Sequence, residues 1–189
     1  YADSVGADIV TSSLGYTEFD DKAASHKYRE QDGRTALISR TASMISGKGM
    51  ILTNSAGNTG AAEWKRIGFP GDAHDVLTVG ALAPDSTNTT FSSVGPTCDG
   101  RVKPDVMAMG GYCTVINGKG LVAHANGTSF STPITCGLVA CLWQALPNKT
   151  ASEIMQLVRE SADRADYPDN IFGYGIPDFW KAYQMGLNK

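Results

Sequence analysis

The sequence predicts an α/β fold with three layers, in which a mainly parallel sheet carries helices on both faces. Strand-like and helix-like segments alternate along the chain, which is typical of parallel sheets. The chain has no repeats and no long linker, so one compact unit is expected. Its 189 residues, 42% hydrophobic and 19% charged, are enough for one domain with a sizeable core.

Four segments are predicted as strands from their short apolar runs and the turn residues that follow them. The first ends in Ser12-Ser13 before Gly15, and the second runs into Ser55-Ala56-Gly57-Asn58. The predicted strands are residues 7–13, 50–53, 76–81 and 105–108.

Helical spacing of apolar residues predicts a helix over residues 35–48, stopped by Gly49. Residues 129–145 are strongly apolar, with Pro133 in the first turn, and predict a buried helix. Residues 150–153 form a capping box that opens a further, amphipathic helix. A last short helix is expected after the glycine-rich turn at 172–175.

Between Tyr16 and Arg34 the chain is polar and weakly periodic, so this segment is predicted to be a surface loop in which His26 is solvated. Its acidic residues Asp20, Asp21 and Asp32 are a weak candidate for a calcium site, and a solvated acidic surface is the favoured interpretation. No cofactor and no metal site is assigned.

The net charge of −3 and the absence of a Lys/Arg block argue against a nucleic-acid partner. The most apolar stretch, residues 136–146, is too short to span a bilayer and contains Gln144. The chain opens on Tyr1-Ala2-Asp3, which has neither the basic start nor the apolar run of a signal peptide.

Four cysteines are present. Cys136 and Cys141 lie in the apolar helical stretch and are expected to be buried small hydrophobes. Cys98 and Cys113 flank a glycine-rich loop, and their spacing leaves open whether they pair in an oxidising compartment. No cysteine–histidine cluster indicates zinc.

The segment Gly-Thr-Ser-Phe-Ser-Thr-Pro at residues 127–133 places Ser129 at the start of an apolar helix. Free backbone N–H groups and the positive end of the helix dipole lie beside such a serine and would also stabilise an oxyanion. Local physics alone leaves a second interpretation open, an ordinary helix-capping serine.

This segment resembles the nucleophile motif of the subtilases, a family of serine proteases. Four further parts of the chain resemble subtilase segments in the family's order: residues 13–15, 55–58, 91–95 with 103–106, and 173–175. The resemblance implies a subtilisin-like fold that lacks its N-terminal strands, with residues 1–189 forming the C-terminal portion of a single catalytic domain.

By this resemblance, Ser129 is the nucleophile of a serine endopeptidase and forms an acyl-enzyme that water later clears. Asn58 donates its side-chain amide to the oxyanion, beside the backbone N–H of Ser129. In isolation Asn58 would be interpreted as an ordinary turn asparagine.

The resemblance also implies a substrate-binding set. One segment pairs through its backbone with an extended peptide, and the others wall the pocket for the residue that precedes the scissile bond. Tyr16 departs from the second glycine that is common after Ser-Leu-Gly in the family. The implied substrate-binding residues are Ser13, Leu14, Gly15, Ser55, Ala56, Gly57 and Thr128.

A serine nucleophile needs a base and a group that orients it, and the subtilase aspartate and histidine precede the Ser-Leu-Gly strand. His26, His74 and His124 lie outside any His-Gly-Thr motif, although His124 comes five residues before Ser129. Asp105 is expected to be structural. The chain alone is therefore predicted to be inactive. The alternative function is a non-catalytic peptide-binding module. A looser alternative is a hydrolase that transfers acyl groups to amines.

Two further expectations follow from the resemblance. The strand at 7–13 loses its neighbours and becomes an exposed edge, which predicts self-association. The partner is a protein or peptide substrate, and the compartment is secreted, periplasmic or extracellular.

Overall fold

A four-stranded parallel sheet forms the centre of the structure, which is a computed structural model that describes residues 1–188. The strands lie side by side in chain order, and each neighbouring pair is parallel. They are β1 (Ile9–Ser12), β2 (Ile51–Ser55), β3 (Leu77–Leu82) and β4 (Val106–Met109). Both the predicted strands and the predicted parallel sheet are confirmed.

Helices cover both faces of this sheet. They are α1 (Leu37–Gly47), α2 (Thr128–Ala145), α3 (Ala151–Ser161) and α4 (Phe179–Asn188). Ile51 of β2 belongs to the core shared with α2, α3 and α4, whereas its neighbour Leu52 packs with Ala42 of α1. Successive side chains of a strand point to opposite faces, so the sheet has a core on each side and the three-layer prediction is confirmed.

A β-hairpin that the sequence analysis did not predict lies between β4 and α2. Its strands are β5 (Cys113–Ile116) and β6 (Val122–Ala125), which pair antiparallel. Ile116, Leu121 and Val122 near its tip are between 60% and 70% exposed, so the hairpin projects from the domain. Its second strand leads directly into the start of α2.

The prediction that α2 is buried holds for one side of the helix and is wrong for the other. Val139 and Leu142 are buried in the core beneath the sheet. Ile134 and Leu138, on another side of the helix, are 42% and 44% exposed. The helix is apolar on both sides, but no other part of residues 1–188 covers the second one.

The cysteine predictions need correction for the same reason. Cys141 is exposed and Cys136 is only partly buried, because both belong to the uncovered part of α2. The Cys98 and Cys113 thiols are unpaired and lie near the carbonyls of Arg29 and Met109 respectively.

The segment between Tyr16 and Arg34 lies on the surface as predicted, with two short 3-10 turns at Lys22–Ala24 and Tyr28–Glu30. The prediction of a solvated His26 is wrong. Its side chain is only 16% exposed, because its ring stacks on Phe69 with centroids 4.3 Å apart. Gln31 is fully buried and donates its side-chain amide to the carbonyl of Ile67. Both contacts anchor the loop to the domain.

Three charged side chains meet in the interior between β4 and α3. The Asp105 carboxylate accepts hydrogen bonds from Lys103 Nζ at 2.6 Å and from Arg159 Nε at 2.9 Å. Burial raises the pKa of Asp105, but the charges of Arg159 and Lys103 outweigh it and leave this pKa below its ordinary value. Asp105 therefore has the structural role that the sequence predicted.

Candidate active site

Ser129 lies in the first turn of α2, at the carboxyl-terminal edge of the sheet. The Gly127 N–H donates to the Gly110 carbonyl at 2.8 Å, which fixes the turn that precedes the helix. The Ser129 carbonyl accepts from Ser13 Oγ at 3.2 Å. Within residues 1–188 the half-buried Ser129 hydroxyl has no hydrogen-bond partner, so it remains available for chemistry.

The Asn58 side chain is held by Thr128, seventy residues further along the chain. The backbone N–H and the hydroxyl of Thr128 each donate to Asn58 Oδ1 at 2.9 Å. A backbone N–H can only donate, so the atom that faces it is the amide oxygen. The amide nitrogen therefore points away from Thr128, and it has no partner in the described part of the chain.

Two N–H donors lie close together beside Gly127. A methyl group built on Gly127 would lie 3.5 Å from Asn58 Nδ2 and 3.6 Å from the Ser129 backbone nitrogen. The donors belong to different elements, and the dipole of α2 adds positive potential at this point. This arrangement is suited to stabilising a negatively charged oxygen next to the Ser129 side chain.

Ser13, Leu14 and Gly15 follow β1 as an exposed segment. In residues 1–188 the backbone N–H and carbonyl of Gly15 make no hydrogen bond. The Leu14 carbonyl receives only a 3.4 Å contact from Asn54 Nδ2. An extended chain that approaches this segment would find free backbone groups, as strand addition requires.

Ser55 is the last residue of β2, and Ala56 and Gly57 follow it, next to the segment after β1 because β1 and β2 are paired. Gly57 has φ +108°, and a Cβ on it would lie 2.9 Å from Ser93 Oγ, so this position requires glycine. A Cβ on Gly68 would lie 3.7 Å from the Gly15 Cα and 3.9 Å from the Ala56 carbonyl.

Two residues of this region, Gly68 and Asn54, were not predicted from the sequence. Asn54 is fully buried and donates to the carbonyls of both Ser55 and Leu14, so it ties the two walls together. A polar amide inside an apolar strand was the available signal for Asn54. No sequence signal marked Gly68, because the residues that it contacts are distant in sequence.

None of the three histidines contacts Ser129 in the described chain. His26 Nδ1 lies 3.1 Å from Glu30 Oε2, and this hydrogen bond holds the pKa of the Glu30 carboxyl below its ordinary value. His74 Nε2 lies 3.0 Å from the Asp32 carbonyl oxygen. His124 stacks on Tyr112 with centroids 3.9 Å apart.

Two acidic residues of the Tyr16–Arg34 segment, Asp21 and Asp32, serve as local caps. Asp21 accepts from the N–H of Ala23, and Asp32 accepts from the N–H groups of Arg34 and Thr35 and from the Thr35 hydroxyl. Over residues 1–188 no three metal-binding side chains come together in one group.

A model of the subtilase family, peptidase S8, matches residues 1–175. The chain belongs to the subtilase family. Serine protease AprX of Bacillus subtilis (strain 168) is 30% identical over 190 residues, covering 89% of this chain and 41% of AprX. Subtilisin DY of Bacillus licheniformis is 26% identical, over 86% of this chain and 52% of its own length.

Solved structures of two proteases share the subtilase fold of this chain. The prenylagaramide maturation protease PagA superposes with a TM-score of 0.72 at 20% identity, over the whole of this chain and 65% of PagA. The S218A mutant of the PatA protease domain superposes with a TM-score of 0.72 at 22% identity, over 99% of this chain and 62% of the PatA chain. The chain thus spans less than two thirds of the length of these relatives.

Family membership confirms the resemblance read from the sequence and identifies the domain type as that of a serine protease. Among residues 1–188, no helix is both long and apolar enough to cross a membrane.

Proposed function

We propose that this subtilase chain supplies the nucleophile and the oxyanion donors of a serine endopeptidase. The observation that carries the proposal is the orientation of Asn58. Two hydrogen bonds from Thr128 occupy its amide oxygen, which leaves the nitrogen as a donor beside the Ser129 N–H. An ordinary turn asparagine has no reason to be held in this way.

In the proposed reaction, the Ser129 oxygen attacks the carbonyl carbon of a peptide bond and loses its proton to a base. Asn58 Nδ2 and the Ser129 N–H stabilise the oxyanion of the tetrahedral intermediate. The intermediate collapses to an ester on Ser129, and the amine leaves with the proton. Water then hydrolyses the ester and regenerates the serine.

We propose that the base and its orienting carboxylate come from a part of the protein outside these 189 residues. The positions of the histidines support this, because each one is engaged with other groups than Ser129. The isolated chain is therefore expected to be proteolytically silent. Removal of the triad histidine from subtilisin lowers turnover about a million-fold.

The proposed substrate is an exposed, extended segment of a protein. Its backbone would pair with Ser13, Leu14 and Gly15; the exposure of all three residues and the free backbone groups of Gly15 support this role. The side chain before the scissile bond would lie between this segment and residues 55–57, with Thr128 at the inner end of the pocket. The small residues there favour a large apolar side chain.

We further propose a secreted or periplasmic location and self-association of the isolated chain. The free edge of β1 supports the association, since an unpaired strand edge is a template for another chain. Calcium binding by the full-length protein stays a prediction from the family resemblance.

A fluorophosphonate probe tests the proposed reaction, because it labels only an activated serine. The full-length protein should carry a stoichiometric adduct on Ser129, located by mass spectrometry, and the 189-residue chain alone should not. Ser129→Ala should remove the adduct, while Ser152→Ala, an exposed serine of α3, should retain it. A folded full-length protein without the adduct would instead indicate the peptide-binding module.

A further inference from the structure

The loop that carries Asn58, residues 57–60, does not hold itself in place. Asn58 is exposed, and its own backbone N–H and carbonyl make no hydrogen bond within residues 1–188. Thr128 binds the Asn58 side-chain oxygen and the Gly57 N–H, but in the described chain it makes no hydrogen bond to the loop beyond Asn58. A donor that must point at one place needs a backbone that is fixed on both sides.

Ser93 supplies that support on both sides of Asn58. The Ser93 N–H donates to the Gly57 carbonyl at 3.0 Å, and Ser93 Oγ accepts from the Thr59 N–H at 3.1 Å. The Gly57 carbonyl and the Thr59 N–H belong to the two peptide units that join Asn58 to the chain. Because each peptide unit is planar, fixing both of them sets φ and ψ of Asn58 and therefore the direction of its side chain.

The Ser93 hydroxyl is fully buried and uses its hydrogen-bonding capacity within this loop. It lies 2.9 Å from Thr59 Oγ1, which in turn contacts the Arg66 carbonyl at 3.4 Å. Since Ser93 Oγ accepts from the Thr59 N–H, its own proton is available for Thr59 Oγ1. A Cβ on Gly57 would lie 2.9 Å from Ser93 Oγ, so the hydroxyl also packs directly against the backbone before Asn58.

Ser93 is itself carried by a segment that is tied to the rest of the domain. The neighbouring Val94 carbonyl accepts from the Ile67 N–H at 3.1 Å. On the other side, Ser92 Oγ accepts from the Ala81 N–H of β3 at 3.0 Å. A residue can position another one only when its own place is fixed, and the sheet provides this anchor.

We propose that Ser93 is a positioning residue of the oxyanion site. It sets the backbone of Asn58, and through it the direction of the amide nitrogen, without contacting the substrate. The inference rests on the proposed endopeptidase function and adds a second support to the one given by Thr128, which binds the end of the Asn58 side chain.

Steady-state hydrolysis by the full-length Ser93→Ala protein tests this role. The substrate is a fluorogenic peptide with a large apolar residue before the scissile bond. Alanine removes the acceptor for the Thr59 N–H, so kcat should fall about 10-fold while KM changes less than about twofold. Ser93→Cys places a weaker acceptor at the same point and should have a kcat at least about threefold above that of Ser93→Ala.

Ser92→Ala is the matched control. Ser92 is the adjacent serine and is also buried, but its hydroxyl binds β3 and not the Asn58 loop. Both alanine substitutions should lower the denaturation midpoint by similar amounts, whereas Ser92→Ala should keep kcat within about twofold of the wild type. Equal losses of kcat would overturn the proposal, and so would a Ser93→Ala effect confined to KM.

Combination with Asn58→Leu shows whether Ser93 acts through Asn58. Two residues that act through the same group have effects that do not add. In a protein that already lacks the Asn58 amide, Ser93→Ala should lower kcat by less than about twofold further. A full 10-fold loss in that background would overturn the proposal.

The unsubstituted full-length protein separates this inference from the proposed function. If it is folded but neither hydrolyses the peptide nor reacts with the fluorophosphonate, the endopeptidase proposal is contradicted and the inference with it. If it hydrolyses the peptide and Ser93→Ala leaves kcat unchanged, the inference alone is contradicted.

Discussion

Asn58 is free to donate through its nitrogen because Thr128 already occupies its oxygen. Thr128 also accepts a 3.3 Å hydrogen bond from the Gly57 N–H, so one hydroxyl links the loop after β2 to the first turn of α2. The oxyanion donor and the nucleophile are therefore positioned by the same residue. Substitutions of Asn58, the donor, and of Thr128, the residue that positions it, are therefore expected to have different effects.

Asn58→Leu should remove one oxyanion donor from the full-length protein. In subtilisin, loss of such a donor lowers kcat by about 100- to 1000-fold, and we expect the same range here. The steady-state kinetics of peptide hydrolysis measure this effect. Asn148→Leu, at an exposed asparagine beyond α2, should leave kcat unchanged. Equal effects of the two substitutions would contradict the role assigned to Asn58.

Thr128→Val removes the hydroxyl that orients Asn58 but keeps the backbone donor. We expect kcat to fall about 10-fold with little change in KM, because the two hydrogen bonds of the hydroxyl, to Asn58 and from Gly57, are lost at a combined cost of roughly 1–2 kcal/mol. Thr128→Ser retains the hydroxyl and should recover most of the activity. A larger change in KM than in kcat would indicate a substrate contact instead of a positioning role.

The sequence predicted which residue types take part in the candidate site, but not the contacts that hold them in place. The helix start at residues 127–133 is a local pattern, and its resemblance to the subtilase nucleophile motif allowed Ser129 to be assigned. The orientation of Asn58 depends on Thr128, and the burial of His26 depends on Phe69; both partners are remote in sequence. Local patterns carry no information about such contacts.

Among the elements, β1 and α2 each have one uncovered side. β1 pairs only with β2, and α2 exposes Ile134 and Leu138. The sequence predicted α2 as buried because its apolar residues surround the helix, and it missed the β5–β6 hairpin because short exposed strands carry little apolar signal. A turn sequence, Asn117-Gly118, was the available indication of the hairpin.

The uncovered side of α2 should contribute to the proposed self-association of the 189-residue chain. Ile134→Lys places a charge on this side and should shift the sedimentation profile towards monomer at high concentration. Leu121→Lys, at the more exposed hairpin tip, should not. A wild-type chain that is monomeric at all concentrations would contradict the association itself.

The ion pairs of Asp105 join the start of β4 to α3 through the interior. Lys103 Nζ also donates to the Val76 carbonyl at 2.9 Å, so the same network reaches the segment before β3. Removing one member of a buried charge cluster leaves the others without compensation. The effect on stability should therefore exceed that of any exposed ion pair.

Asp105→Asn should lower the free energy of unfolding by about 3–5 kcal/mol at neutral pH. Chemical denaturation measures this loss, and Asp166→Asn, at an exposed aspartate without a hydrogen-bond partner in the described chain, is the control. A change below about 1 kcal/mol would contradict the structural role of the cluster.

The pH dependence of stability has a sign fixed by the lowered pKa of Asp105. The carboxylate stabilises the folded state above the ordinary aspartate pKa of about 3.9, and this contribution is lost as the pH falls through the lower folded-state value. Unfolding free energy should thus fall more steeply with acidification in the wild type than in Asp105→Asn. Parallel curves below about pH 4 would contradict this assignment.

The exposed thiol of Cys141 can report chemically whether the uncovered side of α2 is occupied. It lies beside Asp8 and Ile9 in a hollow between β1 and the helix. Alkylation of an accessible thiol proceeds at a rate set by its exposure and its thiolate fraction. Any chain that packs over β1 and α2 would slow the modification of Cys141, so labelling kinetics followed by mass spectrometry would report when this face of the protein becomes occupied.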